Sequence, residues 1–466
     1  MRHRIGVVTD DAVTSAMAGP AIRAWEIASA LAGDHDVRLL TTSSVCELSS
    51  TDFTVHQGTR RAVKELESWS DVLVVQGAVT GRHHVLRSTT KVVAVDLYDP
   101  FHLEQLELFR DKDADERWAS VSSATAQLNA QLGRGDFFVC ASSKQRDFWL
   151  GQLAAVGRLN PSNYDEDETL TSLIAVAPFG LPSEPPSHTE AVLKGVIPGI
   201  GADDEVILWG GGIYNWFDPL TLIRAIDLLR TRRPSVRLFF LGLTHPNPEV
   251  PTMQMATEAR RLAGELGLVG THVFFNEGWV PYHRRQSYLL EADIGVSTHL
   301  DHLETAFSFR TRVLDYIWAS LPVVTTEGDA LADLVSGEGL GLTVPAGDTK
   351  ELEEALFLLL SDPAARASCR DRLLALRPAL VWSEALRPLL DFCRQPRRAA
   401  DLAGAGMVRP QRPPGGVPPA LWPGLGRDAH NAIAYLRAGN ARRLAAKVGA
   451  RTRRALPRVL RAPRSR

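Results

Sequence analysis

Residues 302–324, HLETAFSFRTRVLDYIWASLPVV, follow one strand-like run, DIGVS at 293–297, and run into another, VVT at 323–325. The segment opens as a polar loop carrying Glu304, Ser308, Arg310 and Arg312, then takes a helical pattern with Asp315, Tyr316 and Trp318. Strand, polar loop, helix and strand in that order make the βαβ unit of a parallel sheet. Loops at the carboxyl ends of such strands are where open α/β sheets bind ligands. Arginines and hydroxyls beside a helix start suit an anion, because that end offers unpaired N–H groups. A solvated helix start would carry the same residues.

The pattern extends in both directions. IGVVT at 5–9 reads as a buried strand, followed by the polar loop DDAVTSAMAGP and a helix over 20–32 with Pro20 at its first position. This opening is Rossmann-like without GxGxxG spacing, so it does not point to a dinucleotide. Gly19 would let a substrate approach the backbone, or mark a plain turn. Further strands are read at 72–75, 92–95, 137–141 and 174–177. The strand at 92–95 ends in DLYDPFH, where Asp99 and His102 form a candidate catalytic or sugar-binding edge, or a turn opening the next helix. Residues 1–183 are thus one domain and 184–204, rich in Pro, Gly and Ser, a linker. The alternation restarts at VILW (206–209), with Gly210, Gly211 and Gly212 after it and Asp218 capping the next helix. It runs to about residue 376. The fold class is α/β, with two successive doubly wound parallel-sheet domains facing a cleft.

The chain has 466 residues, 45% hydrophobic and 23% charged, which suits a soluble globular protein. No apolar run reaches membrane-span length, and the start at MRHRIGVVTDD leaves no room for a signal peptide. Four cysteines without metal-type spacing read as reduced thiols of a cytosolic protein. The net charge of −2 conceals an asymmetry: residues 394–466 hold 17 Lys/Arg and two acids, against totals of 52 and 54.

In the order ASSKQRDF (141–148), VAPFGLP (176–182), LFFLG (238–242), VFFNEGWVP (273–281), EADIGVSTH (291–299) and LDYIWASLPVVTT (314–326), the chain resembles GT-B-fold glycosyltransferases of family 4, the group 1 glycosyl transferases. The resemblance covers roughly residues 4–395. It implies transfer of a sugar from a nucleotide diphosphate donor to a glycan or lipid-linked acceptor, as in polysaccharide biosynthesis. It also implies retained configuration, no metal, and no cofactor, the nucleotide-sugar being a substrate. The first domain would face the acceptor and the second the donor, with residues 377–395 returning onto the first.

The family's two glutamates eight positions apart are only partly present. Asp315 falls in the later, ribose-contacting position; Phe307 occupies the earlier one, with Glu304 three residues upstream as the substitute donor-sugar contact. Ser308, Phe309 and Arg310 stand where the family has Gly-Phe-Gly. The Arg and Lys that usually clamp the diphosphate after the first strand of the second domain are missing, since residues 209–223 contain no basic side chain. Arg310, Arg312 or both are expected to replace them, with Gly211 and Gly212 giving the phosphates room. Asp99 and His102, on the sugar or acceptor side, and Glu304, at the donor sugar, are the expected catalytic residues.

Residues 396–466 form a basic tail, read as partly disordered, with Pro/Gly/Arg-rich sequence from Arg394 and a weak amphipathic pattern over 428–460. Such a tail suits peripheral binding to an anionic membrane surface, non-specific contact with nucleic acid, or plain solvation. No specific nucleic-acid partner is expected. Two other readings fit the same fold: a nucleotide-sugar 2-epimerase, and a non-catalytic sugar- or nucleotide-binding protein.

Overall fold

The computed structural model describes residues 1–403 apart from 244, 246, 248–249 and 251–252. These described residues belong to one compact unit. It holds two wholly parallel sheets. The first comprises β1 (Arg4–Thr9), β2 (Asp36–Thr41), β3 (Thr54–Gln57), β4 (Val72–Gln76), β5 (Val92–Asp96), β6 (Phe137–Cys140) and β7 (Ile174–Val176), ordered β3-β2-β1-β4-β5-β6-β7. The second comprises β8 (Glu205–Trp209), β9 (Val236–Phe240), β10 (Val273–Phe275), β11 (Ile294–Ser297), β12 (Val323–Thr326) and β13 (Gly341–Val344), ordered β10-β9-β8-β11-β12-β13. Their central strands are β-branched and buried on both faces, as a sheet covered by helices on each side requires.

Each sheet reverses its winding once, between β1 and β4 and between β8 and β11. A crevice opens at the carboxyl ends of the strands at such a switch point, and ligands bind there. At the second switch point the helix Arg312–Trp318 is fastened by Tyr316. Its hydroxyl accepts from Gly210 N–H and donates to Val296 O, each at 2.8 Å, so one side chain ties the helix to both β8 and β11. Gly295 makes this possible: a Cβ there would stand 2.4 Å from the Tyr316 ring.

The polar loop read at 302–312 contains a helical turn, Leu303–Phe307, whose first N–H groups are met by His302: Thr305 N–H donates to His302 Nδ1 at 3.3 Å. The segment 184–204 has neither helix nor regular strand and lies along the second domain, with backbone N–H groups of Val192, Leu193 and Lys194 donating to the Glu291 carboxylate. Helices Trp382–Ala385 and Arg387–Arg394 pack on the first domain, and Phe392 stacks on Phe137 at 4.5 Å.

The low-complexity sequence expected from Arg394 onward starts as docked chain. Asp401 accepts from Arg158 Nε at 2.7 Å and from Asn160 at 3.0 Å, and Arg398 pairs with Asp136 at 3.1 Å. These ion pairs with the first domain offset the ordering cost that composition alone suggested would not be met. The rest of the tail, and the amphipathic pattern read at 428–460, lie outside the described residues. No described helix is long and apolar enough to cross a membrane.

Candidate functional site

Two arginines are deeply buried for opposite reasons. Arg23, on the helix Gly19–Ala32, forks onto Asp96 at the end of β5, with Nε 2.7 Å and Nη2 2.9 Å from its oxygens. It donates further to the carbonyls of Ala177 and Pro178. Its charge is fully balanced, which is what makes a buried guanidinium tolerable.

Arg312 is 7% exposed and has no such balance. Its guanidinium lies between the rings of Trp209 and Phe217, 4.2 and 4.1 Å from their centroids. Nη2 donates to Gly212 O at 2.9 Å, while Nη1 is buried without a partner. Among the described residues no carboxylate lies within ion-pair distance of it. Burial pulls its pKa down to about 10, and the neighbouring Arg310 acts in the same direction. An unpaired buried cation costs several kcal/mol unless an anion completes it.

The β8 turn is shaped around this group. Gly211 adopts φ +76°, and a Cβ on Gly212 would meet the Trp279 ring at 2.9 Å. Gly212 O also accepts from Trp209 Nε1 at 3.1 Å, so the stacking ring and the guanidinium share one anchor.

Arg310 is already occupied. Its Nη1 and Nη2 fork onto Glu304 at 3.0 and 2.6 Å, both residues being about 95% buried. Of the two arginines proposed for the diphosphate, the structure leaves Arg312 free and binds Arg310 to the candidate sugar-side carboxylate. The sequence could not separate them, because the difference is made by Trp209, Phe217 and Gly212, a hundred residues away in the chain.

Glu304 meets the first domain across the cleft. Asp99, after β5, is raised above the ordinary carboxylate range by burial first, then by the charges of Glu304, Asp10 and Asp96, with Arg310 opposing. Glu104, on the helix Phe101–Leu108, is raised further, again by burial first and then by Asp99 and Glu304. Neither the Asp99 nor the Glu104 carboxylate makes a hydrogen bond or ion pair with a described residue. Glu104 was missed in the sequence because it looked like one acid of an exposed helix. Its spacing from Asp99, just past a strand end and Pro100, was the available signal.

His102 does not join this group. Its ring packs on Phe148 and Trp149 at 5.5 and 5.9 Å, Nδ1 is buried without a partner, and burial lowers its pKa to about 4. The imidazole is thereby held neutral between aromatic rings. Asp315 pairs with Arg285 at 3.0 Å, and Arg285 in turn lies over Tyr282 and near Trp318. Ser308 donates to Thr305 O and ends the short helix; Phe309 stacks on Phe179 of the first domain. Gly19 begins its helix with room to spare, a Cβ standing 4.0 Å from Phe179, so no close approach is enforced there.

The sequence also gave no warning of Gln145. Fully buried in the helix Ser143–Ala155, it donates through Nε2 to Tyr98 O of its own domain and Phe307 O of the other, each at 2.8 Å. Lys144 beside it reaches Asp333 at 2.9 Å. The ASSKQRDF segment therefore clasps the two domains. Among the described residues, no cluster of three or more His, Cys, Asp or Glu is placed to hold a metal ion.

Residues 204–362 match the family model of "Glycosyl transferases group 1". The match makes this segment similar to a group 1 glycosyl transferase domain. The matched segment contains Arg312, Arg310, Glu304 and the β8 glycine turn, and so supplies the wall opposite Asp99 and Glu104. The two-sheet arrangement is the GT-B fold. Sucrose-phosphate synthase from Thermosynechococcus elongatus is similar over 84% of this chain and 99% of its own, at 16% identity and TM-score 0.59. WaaG, a glycosyltransferase involved in lipopolysaccharide biosynthesis, matches over 83% and 99%, at 16% identity and TM-score 0.59. Anabaena HepE, solved in complex with UDP and glucose, matches over 84% and 100%, at 13% identity and TM-score 0.59. No curated protein matches the chain in sequence.

Proposed function

We propose that the protein transfers a sugar from a nucleoside diphosphate donor to an acceptor hydroxyl, and that Arg312 receives the donor's diphosphate. The observation that carries this reading is the buried Arg312 guanidinium with a free Nη1 at the β8–β11 switch point. Phosphate oxygens would complete its hydrogen bonds and supply the missing countercharge. As the anomeric carbon–oxygen bond breaks, charge accumulates on the leaving diphosphate, and a cation fixed in a dry site stabilises it most there.

Glu304, held by Arg310, would stand near the donor sugar, with Asp99 and Glu104 on the acceptor side. The acceptor oxygen bonds to the anomeric carbon while the leaving phosphate takes its proton. This course retains configuration and needs no metal or cofactor. A glycan or lipid-linked acceptor fits the family, and the basic residues beyond 394 would serve a peripheral position at an anionic membrane.

Calorimetric titration with UDP, ADP and GDP, each beside its nucleoside, tests the reading. The preferred diphosphate should lose affinity in Arg312→Ala while its nucleoside does not. Equal binding of all three diphosphates to wild type and variant refutes it.

A further inference from the structure

We propose that His299 and Asp329 are positioning residues that hold Glu304 in the cleft through Arg310. The four side chains come from separate places: His299 after β11, Glu304 on the short helix Leu303–Phe307, Arg310 on the loop beyond it, and Asp329 after β12. They meet in a buried row in which the Arg310 guanidinium lies between the Glu304 and Asp329 carboxylates and the His299 ring lies beyond Asp329. Glu304 is forked by Arg310; Arg310 Nε stands 3.8 Å from Asp329 Oδ2; and His299 Nε2 stands 3.3 Å from that same oxygen. His299 is 0% exposed and Asp329 1%.

Nothing in the local fold calls for this row. Asp329 already has one structural duty, since Oδ1 accepts the N–H groups of Leu331 and Ala332 at 2.8 Å and caps the helix Ala330–Glu338. An asparagine would cap equally well. The second oxygen, Oδ2, is left facing Arg310 and His299. Burial alone would raise the Asp329 pKa, yet His299, Arg310 and the Ala332 N–H together hold it below its ordinary value. Asp329 is therefore an anion in the interior, and Arg310 lies between two carboxylates of which only Glu304 reaches the cleft.

Buried ionic rows are seldom a source of net stability compared with apolar packing, so their retention asks for another reason. Here the row fixes the orientation of Arg310, and the two parallel bonds from Arg310 fix the carboxylate plane of Glu304. A group whose reacting geometry must hold to a fraction of an ångström needs such backing. The catalytic consequence rests on the transferase reading; the contacts do not.

Two measurements on the full chain test the assignment. Asp329→Asn and His299→Gln should each leave UDP affinity within about twofold, keep KM for UDP-glucose, and lower kcat roughly ten- to a hundredfold. A purely structural role would move affinity and kcat together, and a kcat unchanged by Asp329→Asn overturns the proposal. The second is a thermal cycle of Asp329→Asn, Glu304→Gln and the double variant. Either single change leaves Arg310 one carboxylate, whereas the double leaves none. The fall in Tm of the double variant should therefore exceed the sum of the singles. Simple additivity overturns the row. If the wild type does not turn over UDP-glucose, that counts against this donor, and the thermal cycle decides the positioning claim by itself.

Discussion

Gly212 O accepts a hydrogen bond from Arg312 Nη2 at 2.9 Å, joining the turn after β8 to the first residue of the helix Arg312–Trp318. That contact puts a guanidinium where residues 209–223 supply no basic side chain of their own.

Removing the guanidinium should weaken diphosphate binding more than it weakens the fold. Arg312→Ala removes an unpaired cation, so the expected loss is about 1.5–3 kcal/mol of nucleotide affinity, with a small change or a gain in Tm. Arg312→Lys should rescue little, because an ammonium can neither fork onto phosphate nor lie flat between Trp209 and Phe217. Calorimetry beside thermal unfolding checks both.

Arg23 gives the contrasting case. Asp96→Ala strands a fully buried guanidinium and should cost roughly 3–5 kcal/mol of stability. Urea unfolding measures this directly, and nucleotide affinity in the surviving folded fraction should be unchanged.

The carboxyl pair predicts a pH dependence. Asp99 and Glu104 hold their protons to higher pH in the folded protein than in the unfolded chain. Over that interval the folded state binds more protons, so stability falls as pH rises from the ordinary carboxylate range toward neutrality. Asp99→Asn removes part of that dependence. Its Tm should match wild type near pH 4 and exceed it near pH 8; parallel Tm curves would contradict the assignment.

The clasp at Gln145 should matter to both stability and closure. Gln145→Ala leaves Tyr98 O, Phe307 O and the Ala141 N–H without this partner. The cost of such losses is about 1–3 kcal/mol. Small-angle scattering should report a larger radius of gyration for the variant without nucleotide.

The parallel-sheet architecture was legible because its signals are local. Pro219 after Asp218, Ser142 ahead of its helix and the β-branched runs each announce an element within a few residues, and the structure has Asp218 and Ser142 as caps. The polar segment 302–312 carried the right residues for a site, but their division of labour was hidden. Whether an arginine is free or spent depends on partners a hundred residues away, as Gly212 is for Arg312. For His102 the hidden part was its surroundings: the spacing shows the nearby aspartate, and only the fold brings Phe148 and Trp149 against the ring.

The most direct test is release of nucleoside diphosphate from a panel of nucleotide-sugars by wild type and Arg312→Ala under identical conditions. Wild type is expected to turn over one donor selectively and the variant roughly a hundredfold less, in line with removal of one transition-state charge contact. Equal turnover by the two proteins, or none by wild type with any donor in the presence of glycan and lipid-linked acceptors, would contradict this expectation.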